Sequence, residues 1–245
     1  PGGALDGRTV FSLAGHRQHV AVARADAHVL PEGMPPERAL LAGAAETGLN
    51  ALWESQLSIG DRVTVIGAGM IGLSTALLAS RMPLQRLEVV DIDPQRRELV
   101  SALGLTAVAP ESASPDNDVV LHSSAHADGL ALALAITGDD GTIVEQSWYG
   151  TAQPQVPLGQ DFHARRLRIL ASQVGQVATP RRARRTRAER LAQALNLLDD
   201  RFDALITGRS PLSELPAVMD GMSQATEQYR GSICHVIDHR VIDHR

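Results

Sequence analysis

The stretch Arg62-Val-Thr-Val-Ile-Gly-Ala-Gly-Met-Ile-Gly-Leu73 joins a β-branched apolar run to a glycine-rich turn and the start of an apolar helix. A second apolar run, Leu87-Glu-Val-Val-Asp91, follows and ends in a carboxylate. A Gly-x-Gly-x-x-Gly motif alone is a weak signal, but here a strand precedes it, a helix follows, and an acid lies about 20 positions further on. The pattern therefore predicts a dinucleotide-binding βαβ unit.

The three glycines of this motif have separate predicted roles. Gly67 permits the tight turn, Gly69 lets the backbone approach a pyrophosphate, and Gly72 lets the helix pack closely against the sheet. The helix begins at Met70 and Ile71, where unpaired backbone N–H groups would face the anion. We therefore predict that these residues bind the cofactor. The alternative is a glycine turn without a ligand.

Asp91 narrows the choice of cofactor. A carboxylate at the tip of the second strand accepts hydrogen bonds from ribose hydroxyls and repels a 2′-phosphate, so NAD is favoured over NADP. Ile92 is assigned to the same cofactor-binding group. Arg96, with Arg97, could instead receive a 2′-phosphate. In the alternative interpretation Asp93 is a helix N-cap and both arginines are solvated.

The composition indicates a globular chain of one or two domains, because 44% of the 245 residues are hydrophobic and 21% are charged. Aromatic residues make up only 3%, and the net charge is −5, so no nucleic-acid partner is predicted. No apolar run approaches the roughly 18 residues of a membrane span, and no leader is recognisable. We expect a cytoplasmic protein with no membrane partner.

Two residue types limit the possible chemistry. All 23 basic residues are arginine, which excludes a P-loop, a Schiff-base lysine and the tyrosine–lysine pair of short-chain dehydrogenases. The single cysteine, Cys234, permits neither an internal disulfide nor a cysteine-cluster zinc site.

Helical and strand patterns continue on both sides of the βαβ unit. Residues 8–30 alternate like a pair of strands, including one at 19–22, and a helix is predicted to open at Pro35-Pro-Glu-Arg38 and to run through Ala39 to about Gln56. Alternating strands and helices then predict an α/β fold with a doubly wound, parallel Rossmann sheet. The further predicted elements are helices at 70–82, 95–103, 128–136, 188–198 and 212–222, and strands near 107 and at 118–123, 142–146, 167–171 and 232–237.

Two features near the C-terminus stand apart from this pattern. Residues 181–187 contain five arginines, and this cluster is either an anion-binding surface or a solvated helix entry. Residues 236–240 are repeated at once as 241–245, which is too short for a structural repeat, and we assign the duplication no function.

Further segments match a family pattern. They are Leu30-Pro-Glu-Gly33, Glu46-Thr-Gly-Leu-Asn-Ala-Leu-Trp53, Gly60-Asp-Arg-Val-Thr-Val-Ile-Gly67, Ala204-Leu-Ile-Thr207, Pro211-Leu-Ser-Glu-Leu215 and Glu145-Gln-Ser-Trp-Tyr-Gly150. With them the chain resembles the medium-chain dehydrogenase/reductase superfamily of zinc-type alcohol dehydrogenases and their zinc-free relatives, in particular a bacterial zinc-binding dehydrogenase subgroup. The resemblance implies a small alcohol or carbonyl substrate and a homodimer joined through the sixth strand near 167–171.

The resemblance also implies a domain division. Residues 1–44 match the tail of a GroES-like catalytic domain with its connecting helix, 45–173 the NAD-binding Rossmann domain, and 174–245 the return to the catalytic domain. The first third of the family pattern, with two zinc ligands, has no counterpart. The third catalytic-zinc ligand falls on Gly43, which has no side chain to bind a metal, and residues 12–17 replace the structural-zinc lobe. We therefore expect no metal site.

Four residues are predicted to act in catalysis. The resemblance adds Glu46 and Thr47, because the matching helix faces the cleft, and a carboxylate in an apolar helix needs a partner. His122 and Tyr149 follow strands whose carboxyl ends meet where hydride transfer would occur. The structural alternatives are a solvated Glu46 or its ion pair with Arg38, a backbone-bonded His122, and Tyr149 packed with the preceding tryptophan in the cleft floor.

Ser123, at the end of the fourth strand, and Arg230, in the terminal segment, complete the predicted cofactor contacts. The leading interpretation is an NAD(H)-dependent oxidoreductase that interconverts an alcohol and a carbonyl, or reduces an activated double bond, without zinc. The alternative is a truncated, catalytically silent dinucleotide-binding module. The segments resembling the family disfavour a flavin or S-adenosylmethionine binder.

Overall fold

A computed structural model describes residue 3 and residues 5–159 and 161–239. The strands are β1 (Val10–Phe11), β2 (His28–Val29), β3 (Arg62–Ile66), β4 (Arg86–Val90), β5 (Thr106–Val108), β6 (Asn117–His122), β7 (Thr137–Glu145), β8 (Arg168–Ala171), β9 (Ile206–Pro211) and β10 (Cys234–Asp238). The α-helices are α1 (Pro36–Ala39), α2 (Ala42–Ser55), α3 (Met70–Ala79), α4 (Pro94–Ala102), α5 (Ala127–Ile136), α6 (Asp161–Ala164), α7 (Arg187–Leu197) and α8 (Leu215–Ser223). Within these described ranges, no helix has both the length and the apolarity needed to cross a bilayer.

Six strands form one parallel sheet in the order β5-β4-β3-β6-β7-β8. The chain winds outward from β3 to β5 and then crosses to the other side at β6, so the order reverses between β3 and β6. In an open α/β sheet such a switch point, at the carboxyl ends of the strands, is where ligands bind. The predicted Rossmann fold is confirmed.

The sheet is buried on both faces. Val89 and Leu121 belong to a core cluster that includes the apolar side of α3, whereas Val90 and Val120 belong to a second cluster with α5. Because successive strand residues point to opposite faces, both faces of these strands need apolar side chains. This explains why the strands read as continuous apolar runs.

The N-terminal segments differ from two predictions. Residues 19–22 are not in a strand, because Val20 and Val22 are exposed and β1 pairs instead with β2, opposite Val29. The prediction of one continuous helix from Pro35 through Ala39 to about Gln56 is also wrong, because α1 ends at Ala39 and α2 begins at Ala42. Leu41, which lies between the two helices, is completely buried.

The C-terminal region contains a strand that the sequence pattern did not reveal. β9 pairs in parallel with β10 in a separate two-stranded sheet. Its glycine, arginine and proline hide the apolar alternation that would mark a strand. Residues 240–245, which include most of the terminal duplication, lie outside the described residues.

Candidate functional site

The glycine turn lies between β3 and α3. Gly67 has φ of +101°, in the left-handed region, and a Cβ there would lie 2.9 Å from the backbone nitrogen of Ser124. A Cβ at Gly72 would lie 1.7 Å from the carbonyl oxygen of Gly67, so this position has no room for a side chain. A Cβ at Gly69 would meet Arg96 Nη1, at 3.5 Å. The backbone at Gly69 is therefore open to a ligand.

A cavity of about 620 Å³ lies at the switch point, between the glycine turn, the tip of β4 and the loop after β6. Six of the predicted cofactor residues line it, namely Gly67, Gly69, Asp91, Ile92, Arg96 and Ser123. Ser124, the next residue of the loop after β6, also lines it.

The other predicted cofactor residues have different positions. Met70 and Ile71 form the first turn of α3, and Gly72 is buried beneath the glycine turn. Arg230 is exposed, and the adjacent Gly231 lies near the side chain of Gln95 at the start of α4. A contact between Arg230 and the cofactor stays a prediction.

Asp91 connects the tip of β4 to the glycine turn. Its Oδ2 atom accepts the backbone N–H of Ala68 at 2.7 Å, and its Oδ1 atom accepts that of Asp93 at 2.8 Å. An ionised carboxylate offers about four acceptor positions. Two of these acceptor positions therefore remain for the hydroxyl groups of a ligand.

The two arginines after β4 have different environments. Arg97 donates from Nη1 to the carbonyl oxygens of Asp91 and Ile92, at 2.8 and 2.9 Å. Arg96 lines the cavity beside the glycine turn. The alternative in which both arginines are solvated is therefore wrong, whereas the predicted N-cap is correct, because Asp93 accepts the N–H of Gln95 at 2.9 Å.

Beside this cavity, His122 connects a serine to a carboxylate. Its Nδ1 atom lies 2.7 Å from Oε2 of Glu145, and its Nε2 atom lies 2.7 Å from Oγ of Ser124. His122 ends β6 and Glu145 ends the neighbouring β7, where the two residues are register partners. The imidazole is completely buried, whereas Ser124 borders the cavity.

Glu145 is held as an anion at the centre of this network. Burial acts to raise its pKa, but the hydrogen bond and charge of His122 and the hydrogen bonds from Ser147 outweigh burial, so the pKa lies below its usual range. Tyr149 donates its hydroxyl to Glu145 Oε2 at 3.2 Å. Burial, then the charge of Glu145 and this hydrogen bond, raise the pKa of Tyr149 to about 12.

These contacts revise the interpretation of the strand-end residues. His122 does not line the cavity, so it cannot contact a ligand there directly. Any proton exchange between His122 and a ligand would have to pass through Ser124. Its partners are side chains, not the backbone groups of the alternative interpretation. Trp148 is 89% exposed, which contradicts its placement in a cleft floor.

Glu46 and Thr47 lie elsewhere. Glu46 is buried and accepts Arg190 Nε at 3.0 Å, whereas Arg38, the alternative partner, binds Asp203 instead. Thr47 donates its hydroxyl to the carbonyl oxygen of Gly43 at 2.9 Å. Glu46 and Arg190 line a separate cavity of about 800 Å³ next to residues 21–28. The predicted catalytic residues are therefore not gathered in one cavity.

The donor set does not fit the catalytic zinc of the resembled family. Gly43 lies in the first turn of α2 and offers no side chain to a metal. Within residues 5–159 and 161–239, no three His, Cys, Asp or Glu side chains are grouped to hold a metal ion. No step of the chemistry is assigned to zinc.

The parallel sheet, its switch-point cavity and the glycine turn after β3 define a Rossmann-type α/β domain. In sequence the chain is similar to zinc-type alcohol dehydrogenase-like proteins, and its fold matches dehydrogenases of the medium-chain dehydrogenase/reductase superfamily. It is 26% identical over 166 residues to an uncharacterized zinc-type alcohol dehydrogenase-like protein of Escherichia coli, and the match covers 62% of this chain and 47% of that protein. No family model matches the chain.

Solved structures share the fold. L-idonate 5-dehydrogenase from Escherichia coli superposes with a TM-score of 0.73 at 15% identity, over 89% of this chain and 61% of that chain. A protein of Sinorhizobium meliloti, assigned as a zinc-binding dehydrogenase and solved with NADP, gives 0.71 at 21% identity, over 89% and 64% of the two chains. The chain thus spans about half the length of the curated relative and less than two thirds of these solved chains.

Proposed function

We propose that the chain binds NAD(H) and supplies the cofactor half of an oxidoreductase that interconverts an alcohol and a carbonyl without zinc. One observation carries this proposal: the open backbone at Gly69 and the carboxylate of Asp91 line the same cavity at the switch point. A phosphate-binding turn and a hydroxyl acceptor on adjacent strands are the two recognition elements that a dinucleotide needs.

The residues fit the parts of such a cofactor. The N-terminus of α3, at Met70, would hold the pyrophosphate, with the guanidinium of Arg96 beside it. Asp91 would accept hydrogen bonds from the adenosine ribose, and the exposed side chain of Ile92 would flank the base. The bound nicotinamide supplies or accepts the hydride.

The preference for NAD(H) over NADP(H) follows from the rigidity of Asp91. Two backbone N–H groups hold the carboxylate in place, so it cannot turn away from a 2′-phosphate. Arg97 is engaged with two backbone carbonyls and is not directed at such a phosphate. The charge of Arg96 lies next to the glycine turn, where a pyrophosphate benefits more than a ribose substituent does.

The first test is a titration of the chain with NADH and with NADPH, followed by nicotinamide fluorescence. Tight binding of NADH with much weaker binding of NADPH would support the proposal, and binding of neither would refute it. Asp91→Ala should weaken NADH binding. Gly43→Ala is the matched control, because its added Cβ would meet only Leu13, at 3.7 Å.

A screen of alcohols with NAD⁺ and of carbonyls with NADH then separates an enzyme from the alternative of a silent module. Turnover of either class by this chain would exclude the silent module. Tight NADH binding with no turnover in either direction would favour it.

A further inference from the structure

We propose that Ser124, His122 and Glu145 form a proton relay, whose open end is the Ser124 hydroxyl in the switch-point cavity, and that the relay exchanges a proton with a hydroxyl of a bound ligand. The ligand hydroxyl belongs either to the ribose of the dinucleotide or to a substrate alcohol. This inference rests on the dinucleotide binding proposed above.

The hydrogen-bond network determines the tautomer of His122. Glu145 already accepts the backbone N–H of Ser147 at 2.8 Å and the hydroxyl of Tyr149, so it acts as an ionised acceptor. The proton of the neutral imidazole must then lie on Nδ1, which faces Glu145. Nε2 is left as an acceptor, and Ser124 donates its hydroxyl proton to it.

This arrangement lets Ser124 accept a proton while it gives one away. The O–H bond of the ligand breaks and its proton goes to Ser124 Oγ, while the proton of Ser124 goes to His122 Nε2. The resulting imidazolium stays paired with the Glu145 carboxylate, which compensates the charge in a buried position. The reverse movement returns a proton to a ligand alkoxide.

The backbone next to the contact between Ser124 and His122 leaves no room for a larger side chain. A Cβ at Gly129, in the first turn of α5, would lie 2.2 Å from Ser124 Oγ and 2.7 Å from His122 Nε2, so a larger residue would displace the pair. Ala125 has φ of +53°, an uncommon conformation for a residue with a side chain, and its N–H donates to Ser147 Oγ at 3.0 Å. The two loops that carry the relay are thereby joined.

Other ionisable groups lie near the relay, and a pH experiment must distinguish their effects on ligand binding from the effect of His122. The Tyr149 ring centroid lies 6.4 Å from that of His122, and its hydroxyl binds the same carboxylate. On the cavity side, His126 lies 3.6 Å from Asp128 at the start of α5, and Asp91 also lines the cavity. Of these groups, His126 is a second imidazole at the edge of the cavity and requires its own control.

The experiment measures NADH dissociation constants as a function of pH and follows the His122 ring nitrogens by NMR in the same protein. A hydroxyl that donates to Ser124 requires neutral His122. We therefore expect NADH binding to weaken about 2- to 10-fold, the range of one hydrogen bond, over the pH range in which the NMR experiment records protonation of His122. Ser124→Ala should bind NADH without this dependence, and His126→Asn should retain it.

A second arm distinguishes the two hydroxyl sources. If the binding of NADH alone depends on pH, the hydroxyl that contacts Ser124 belongs to the ribose. If binding depends on pH only when NAD⁺ and 2-propanol are present together, that hydroxyl belongs to the substrate alcohol. The same dependence in Ser124→Ala, or none in either arm of the wild type, would overturn the relay.

The NMR measurement needs no cofactor. A neutral His122 with its proton on Nε2 would refute the relay even if NADH binds, and Glu145→Gln should change the tautomer balance. If the wild type shows the Nδ1 tautomer but binds no NADH at any pH, the proposed function fails while the geometry of the relay is supported.

Discussion

The Oδ2 atom of Asp91 lies 2.7 Å from the backbone nitrogen of Ala68, so the acid at the end of β4 is hydrogen-bonded to the glycine turn after β3. The residue predicted to select the cofactor therefore also holds the turn that would bind its phosphates. One substitution at this position should change both stability and cofactor binding.

Asp91→Asn tests this double role. The amide retains one acceptor oxygen, but the charge is lost, and hydrogen bonds to a charged group contribute about 1.5–3 kcal/mol. We expect NADH binding to weaken about 10- to 100-fold and the discrimination against NADPH to decrease. Isothermal titration calorimetry with both cofactors measures these changes. An unchanged ratio of the two affinities would contradict the proposed selectivity.

Gly72→Ala should mainly reduce the stability of the chain, whereas Gly69→Ala should mainly weaken NADH binding. At Gly72 the new Cβ would overlap the carbonyl oxygen of Gly67, and such overpacking costs about 1–3 kcal/mol or more. At Gly69 the added methyl meets only the flexible guanidinium of Arg96, so folding should be nearly unaffected while NADH binding weakens. Urea unfolding and NADH titration of both variants check this, and equal loss of stability in the two would contradict it.

The buried pair of Glu46 and Arg190 should be coupled. Arg190→Met leaves a buried carboxylate without its partner, for which a loss of about 3–5 kcal/mol is typical. Adding Glu46→Gln should restore much of that stability, because the remaining group is neutral. A double-mutant cycle by urea unfolding measures the coupling. Additive effects of the two substitutions would show that the pair does not stabilise the chain.

Acidification should weaken the contact between β3 and β6. Hydrogen bonds from Arg62 hold the pKa of Asp118 below its usual value, despite the opposing effect of partial burial. Because the folded-state pKa is depressed, the contribution of Asp118 is complete above its unfolded pKa and disappears as the pH falls through the folded value. Asp118→Asn should therefore be less stable at pH 7 but lose less stability below about pH 4.

The control for that measurement is Asp139→Asn. Asp139 contacts Arg165 through a carboxylate whose side chain is 81% exposed. Because solvent screens such an exposed pair, the stability of Asp139→Asn should change with pH much as that of the wild type does. If Asp118→Asn also follows the wild-type curve, the Arg62 pair does not contribute to acid sensitivity.

The exposed edge of the sheet is the predicted dimer interface. Ile169 and Leu170 on β8 are 36% and 37% exposed, and β8 pairs only with β7 among the strands of the described sheet. We expect two copies to join through β8, and Ile169→Glu with Leu170→Glu to yield monomers because charged groups block edge pairing. Sedimentation velocity measures the change. A wild-type monomer at micromolar concentration would contradict the dimer.

The sequence alone was sufficient for the Rossmann sheet and for most of the residues that line the switch-point cavity. Local structure can be predicted from the glycine spacing, the apolar runs and the position of Asp91, because backbone torsion and the periodicity of strands and helices are local properties. Gly67 and Asp91 accordingly lie where the pattern predicted them. The break between α1 and α2 and the strand β9 were missed, because tertiary packing overrides weak local preference there.

The chemistry of individual side chains was decided by the tertiary structure. His122 was recognised from the sequence, but its partners were not, because Glu145 is brought to it only by the register of β6 and β7. The same is true of Glu46, whose partner Arg190 lies 144 residues further along the chain. Periodicity identifies elements, but contacts between distant residues depend on how those elements pack, which no local pattern encodes.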